Sequence, residues 1–359
     1  MTTRRTFLAA LLAAGAMPRL GWAAVGNPAY LAAAQEADGT FALFGLTEGG
    51  IETFRISLPA RGHAGAGHPV RAEAVAFARR PGTFARVIDC ATGRVIRDLT
   101  PPPGRQFNGH GVYDPSGAVL FTSEQDAATS DGVIGVWDVA AGYVRRAAFP
   151  SGGIGPHDLR LMPDGATLVV ANGGIATDPT DRTKLNIATM RPNLSYLALD
   201  GTLLERVELR PDLAQNSIRH LAVRTDGLTG FAMQWEGEAG IVTPLLGLHR
   251  RGTDLVLALA PEADEIAMQG YAGSIAFDGA GAEVAISSPR GGRVHRFDDT
   301  GAFLGAVSRS DVCGLAARTG GLLASDGLGG LVAIANGTAR PLGHADRAWD
   351  NHIVTLPKV

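Results

Sequence analysis

Cysteine is scarce: the 359 residues hold only Cys90 and Cys313, too few for a disulfide framework of the kind that staples small secreted domains. Lysine is nearly absent, with Lys184 and Lys358 the only two among 32 basic residues. That is read as a bias of the source genome. An excess of positive charge is missing too. The formal net charge is −3, which removes the basic field that nucleic-acid binding requires, so no nucleic-acid partner is expected. Aromatic residues make up only 6%. Beyond the N-terminal region no apolar run is long enough to span a bilayer, so no membrane span is expected in the mature chain. What abounds is glycine. Its 48 positions, beside 20 prolines, are nearly twice the usual ~7% and predict many turns between short elements. An apolar share of 45% with 19% charged residues supplies a core and excludes wholesale disorder.

The chain starts with Thr3-Arg4-Arg5-Thr6-Phe7-Leu8, continues with a short apolar run over 9–17, and reaches Gly21-Trp22-Ala23-Ala24. A paired-arginine start, a short apolar stretch and a small-residue site in that order read as a twin-arginine signal peptide. We expect residues 1–23 to be that peptide, cleaved after Ala23 or Ala24. Residues 24–359 are then one exported domain, a monomer in the periplasm.

A repeat of about 47 residues runs through the rest. It is clearest from His110, where a short strand ends at Asp114-Pro115-Ser116-Gly117 and three more strands follow through residue 149. The same first turn recurs at Pro163-Asp164-Gly165, Thr225-Asp226-Gly227, Asp278-Gly279 and Thr319-Gly320, and a degenerate copy starts at His63. These make six units of four strands. One terminal strand beginning near Trp349 and three N-terminal strands (30–35, 41–46 and 51–58) are left over. One plus three makes a seventh unit, and joining the chain ends removes the exposed edges of an open array. The predicted architecture is an all-β, seven-bladed propeller.

In such a ring the start of each first strand lies at one mouth of the central channel. That rank is held by His63, His110, His157, His220 and His352, with Cys313 in the sixth unit. Neutral imidazole suits iron, copper and zinc, and thiolate adds softness. The five histidines, Cys313 and nearby Glu124 are therefore the candidate metal ligands. A circle through seven inner strands is expected to be too wide for all five imidazoles to share one ion. A rival reading makes them structural, since Asn108-Gly109-His110 with Trp137-Asp138 looks like a WD-type hydrogen-bonded network. Strand ends at the same mouth add Arg80, Asn172, Arg219, Arg290 and Asp350 as candidate cofactor-binding residues. Residues 172–194 have neither strand nor helix period; they sit on the histidine face as a lid, a docking loop or a loose insertion.

Arg61-Gly62-His63, Arg79-Arg80-Pro81-Gly82, Gly155-Pro156-His157, Ser217-Ile218-Arg219-His220, Ser288-Pro289-Arg290-Gly291-Gly292 and Trp349-Asp350-Asn351-His352, with the paired-arginine start, form a set. The chain resembles an uncharacterised family of exported seven-bladed propellers found beside imelysin-like iron-uptake and di-haem peroxidase-like proteins. The resemblance implies the fold and a place in periplasmic iron or other metal handling, with iron-uptake proteins as partners, and no activity. No Cys-x-x-Cys-His haem-attachment motif occurs. Three classes of function follow: a metal-binding accessory protein, a propeller enzyme of redox or lactonase-like type, and a non-catalytic interaction scaffold. Neither a Gly-x-Ser-x-Gly elbow nor a His-Glu-x-x-His motif is present, which weakens the hydrolase case.

Overall fold

The computed structural model describes residues 20–79 and 83–357. These residues form seven four-stranded antiparallel sheets arranged as the blades of a propeller. Blades 1 to 6 follow the chain, with inner strands Gly62–Gly67, Arg105–Tyr113, Pro156–Leu161, Asn216–Val223, Ser274–Phe277 and Val312–Arg318. Blade 7 takes its inner strand, Arg347–Thr355, from the C-terminal end and its other three, Tyr30–Glu36, Phe41–Leu46 and Glu52–Leu58, from the N-terminal end. The closing ladder runs from Tyr30 opposite Thr355 to Glu36 opposite Arg347. The seven-blade count and the one-plus-three closure both hold.

Sequence pattern explains the layering within a blade. Second strands are flanked on both faces and read as continuous apolar runs. Glu73–Ala78 and Thr167–Asn172 are buried at every position. Outer strands have one wet face, and Leu203–Glu208 alternates exposed with half-buried residues. The core is accordingly divided into seven apolar clusters, one between each pair of neighbouring blades. The turns from first to second strands need a left-handed residue, which Gly117, Gly165, Gly227 and Gly281 supply with φ between 66° and 86°. Asp164 Oδ1 braces its turn by accepting the Ala166 and Thr167 amides at 2.9 Å.

Cys90 and Cys313 are buried free thiols in separate blades. Trp22 is buried, packs in the cluster that holds Leu356, and donates from Nε1 to the His68 carbonyl at 2.9 Å. Cleavage after Ala23 would remove that contact. Among the described residues no helix is long and apolar enough to cross a membrane.

Closure makes the last strand essential to the whole ring. Deleting residues 349–359 exposes two sheet edges and opens the clusters on both sides of blade 7. We expect the truncated chain to lose its cooperative thermal transition; an unchanged melting temperature would show that the ends contribute nothing.

Candidate metal centre

An inner strand with regular pairing would point successive side chains up and down the blade faces, not at the axis. Six of the seven inner strands break that register near their starts. Pairing skips residues between Gly62 and Gly65, Phe107 and Gly111, Pro156 and Asp158, Ile218 and His220, and Val312 and Leu315. In blade 7 it skips from Trp349 to Ile353. Each irregularity holds or adjoins one of His63, His110, His157, His220, Cys313 and His352. Bulges of this kind bend a strand and re-aim a side chain. Blade 5, whose inner strand pairs without a shift, contributes no such residue.

The five imidazoles converge on the axis in one packed cluster. Ring centroids lie 4.5 Å apart for His63 and His352, 4.7 Å for His157 and His220 and for His220 and His352, and 4.8 Å for His110 and His352. His110 is 5.0 Å from both His63 and His157. Bulged backbones and inward side chains pack the rings together, yet ligand nitrogens come within reach of one another in groups of three and not as a set of five. Ligand nitrogens of His63, His110 and His352 all lie within 4.8 Å of one another, as do those of His110, His157 and His220. Gathering three nitrogens around an ion at ~2.1 Å brings them to about 3.4 Å apart, a contraction within reach of small ring rotations. Gly109 makes the crowding possible. It has φ +95°, and a Cβ there would sit 2.7 Å from Cδ2 of His63.

Two buried carboxylates orient the rings. Asp158 Oδ1 lies 3.1 Å from His110 Nδ1, which leaves Nε2 of His110 as the ring's donor atom to a metal. Asp158 is itself fixed by the Leu159 and Leu221 amides at 2.8 and 3.0 Å and by Arg160 at 3.2 Å. Burial works to raise its carboxyl, but Arg160 and His110 outweigh it and hold the group well below the usual range. Asp350 lies 3.6 Å from His63 Nδ1 and accepts Arg61 at 2.6 Å and Arg79 at 3.4 Å. Its carboxyl is lowered to about 2, burial again opposing and His63 and the arginines prevailing. The imidazoles are pushed the other way. Burial, against the pull of Asp350, takes His63 down to about 4, and burial with neighbouring rings takes His157, His220 and His352 well below the ordinary value. A cluster of neutral nitrogen donors beside two carboxylates results.

The other sequence candidates are placed elsewhere. Glu124 does not reach the histidines: it receives Arg145 through both oxygens at 2.6 and 2.8 Å and the Thr122 hydroxyl at 2.7 Å, deep within blade 2. Cys313 stays outside both histidine groups. Its buried thiol lies 3.4–3.5 Å from the carbonyls of Ser325, Trp349 and Asp350, and burial pushes it up to about 12, against thiolate formation. Asn172 is consumed by Asn193 and Ser195 of blade 3 and by Ser151 on the outer strand of blade 2. Arg290 packs its guanidinium 4.3 Å from the Tyr271 ring centroid. Arg80 lies outside the described residues. Of the remaining histidines, His249 of blade 4 is committed, with Tyr196 Oη of blade 3 2.8 Å from Nδ1 and the Thr253 carbonyl 3.1 Å from Nε2.

Above the rings a cavity of about 80 Å3 opens at the mouth, walled by His63, His157, His220, Arg79, Arg182, Arg219 and Tyr271 among others. On the far side the channel is apolar, with Val112, Leu161, Leu221, Ile275, Leu315 and Ile353 around a 440 Å3 vestibule. The segment 172–194 is a folded strap. Thr177 bridges Lys184, Asn186 ties the Ala176 amide and the Gly174 carbonyl, and Gln106 of blade 2 reaches Pro179. Lys184 pairs with Glu236 of the blade 4 side. Sequence reasoning missed Asp158, whose only signal was its place directly after His157, and Arg182, which no period marked.

A family profile spans residues 56–356, and its description is a protein of unknown function, DUF1513. The chain belongs to the DUF1513 family. None of the curated proteins matches it. Among solved structures, this DUF1513 member is similar to Kuenenia stuttgartiensis hydrazine synthase, at 12% identity over 86% of this chain and 90% of that one, with a TM-score of 0.60. Streptogramin B lyase gives 12% identity, 78% and 82% coverage and 0.55. The Cps50 (Swd1) β-propeller domain of Myceliophteria thermophila gives 16%, 75% and 80%, and 0.53. At these identities the likeness is one of fold.

The depressed imidazoles set the pH response. In the folded chain His63, His157, His220 and His352 stay neutral, while an unfolded histidine takes up a proton below ~6.5, so the unfolded chain binds more protons in acid. The stabilisation is complete above pH 6.5 and is lost as pH falls toward about 4, the value for His63; Asp350 adds to the loss only below its unfolded value of 3.8. We expect the melting temperature of metal-free protein to fall steadily from pH 6.5 to 4, and a flat profile over that range would contradict the buried neutral cluster.

Proposed function

We propose that this protein binds one first-row transition-metal ion through the histidine cluster at the channel mouth. The observation that carries this reading is a set of orphaned nitrogens. His110 Nε2, His220 Nδ1 and His352 Nε2 are buried and meet no hydrogen-bonding group. An unsatisfied buried polar atom costs about 1–3 kcal/mol, and a structural hydrogen-bonded network would have consumed these atoms. An ion in either histidine group would take up His110 together with His352 or His220. Neutral imidazoles without thiolate favour iron, copper or zinc. The two histidine groups share His110, and Asp158 occupies its Nδ1, so the groups are overlapping halves of one site. Carboxylates behind His110 and His63 offset the charge of the ion.

The wider role we assign is handling of iron or another transition metal in the periplasm after twin-arginine export, with iron-uptake proteins as partners. Support for that part is the N-terminal sequence and the family resemblance.

Purified protein loaded with copper, zinc or iron should retain about one ion per chain by elemental analysis. His110→Gln and His352→Gln should abolish retention, while His249→Gln, altered in a committed buried histidine, should keep it. Absence of metal in wild type, or equal retention in all variants, would return the cluster to a structural role. Asp158→Asn should weaken metal affinity by ~10–100-fold, the usual effect of removing a carboxylate behind a histidine ligand, and Glu124→Gln should leave affinity unchanged in chelator competition.

A further inference from the structure

The mouth cavity is a second, distinct piece of chemistry. Its walls include Arg79, Arg182 and Arg219, and among the described residues no aspartate or glutamate lines it. Acids nearby are engaged from behind. Asp350 serves Arg61, Arg79 and His63, and Glu236 is shared by Lys184 and Arg219. Arg219 gains little from that sharing. Its contact with Glu236 is 3.5 Å, and its Nε is buried with no partner. Guanidiniums of blade 1, the strap and blade 4 are thus confined around a small space. Burial and repulsion from Arg79 and Arg219 lower the Arg182 guanidinium. The strap that delivers Arg182 holds it at φ +67° and is anchored on both sides of the mouth by Gln106 and Lys184. The floor is neutral imidazole from His63, His157 and His220.

We propose that this cavity binds a small oxyanion, of carboxylate or phosphate size, held by the arginine forks with its other oxygen facing the ion on the histidines. Guanidinium presents paired N–H donors that match two oxygens of such a group. The volume sets the size class. A water needs ~10–15 Å3 on this measure, so about 80 Å3 holds several waters or one ligand of a few heavy atoms. A cavity with three cations, a buried unpartnered guanidinium nitrogen and no lining carboxylate is an anion site whether or not the ion is present. A bound cation would add to its pull. The inference rests on the metal reading only for the second contact.

The test is calorimetric titration of the full chain, metal-free and metal-loaded, with inorganic phosphate and with acetate at low ionic strength. We expect saturable binding of one anion per chain, at least ~10-fold tighter after loading, and lost by at least ~10-fold in Arg182→Gln and in Arg219→Gln. Arg182 sits on the strap, so its variant keeps the test open if replacing the buried Arg219 disturbs folding; melting curves report that directly. A preference between phosphate and acetate identifies the class of anion. Anion binding without metal binding would uphold the cavity and sink the metal reading. Metal binding with no anion uptake, or uptake unaffected by both arginine variants, would overturn this proposal and leave the metal reading intact.

Discussion

Everything in this molecule depends on closing the ring. Each four-stranded blade has two apolar faces, and neither is buried unless a neighbour stands on both sides. The last neighbour exists only because Arg347–Thr355 pairs with Tyr30–Glu36. That strand also brings His352 into the cluster and Asp350 to His63. Fold closure and site assembly are therefore one event, and the site cannot form in a chain whose ends are apart.

Within the closed ring the working device is the broken register of the inner strands. Regular ladders maximise backbone pairing but leave side chains facing neighbouring blades. A bulge gives up local pairing and turns one side chain toward the axis. Six blades make that exchange, and the residues delivered are five imidazoles and a thiol. The imidazoles meet, whereas the thiol turns back to carbonyls of its own blade and blade 7. A regular inner strand in blade 5 leaves a gap in the ring of donors, filled from the loop before it by Tyr271 at the cavity wall.

Charge is layered along the channel. Apolar side chains lie at one end, neutral imidazoles in the middle with carboxylates behind them, and arginines at the open mouth. Burial keeps the imidazoles of His63, His157, His220 and His352 unprotonated and their lone pairs available. The arginines share the same small space, with Asp350 and Glu236 as partners of Arg79 and Arg219. One burial effect thus bears on both proposed sites, the cation site on the imidazoles and the anion site among the arginines.

Much of this was legible in the residues. Period, turn positions and the one-plus-three strand count determined the seven blades, because turns and apolar runs are local properties. The shared rank of His63, His110, His157, His220 and His352 determined which side chains could meet, because equivalent positions in a ring lie on one circle. What only the tertiary structure decided was the outcome at each position. Bulges depend on the partner strand, so the inward reach of the rings was hidden. Glu124 was claimed by Arg145 from an outer strand, Cys313 by carbonyls 12 to 37 residues away, and Asn172 by its own blade together with the outer strand of blade 2. Asp158 reached His110 across a blade boundary, and Arg182 entered the mouth on a strap with no period of its own. Those choices are made by distances between segments remote in the chain, which no local pattern encodes.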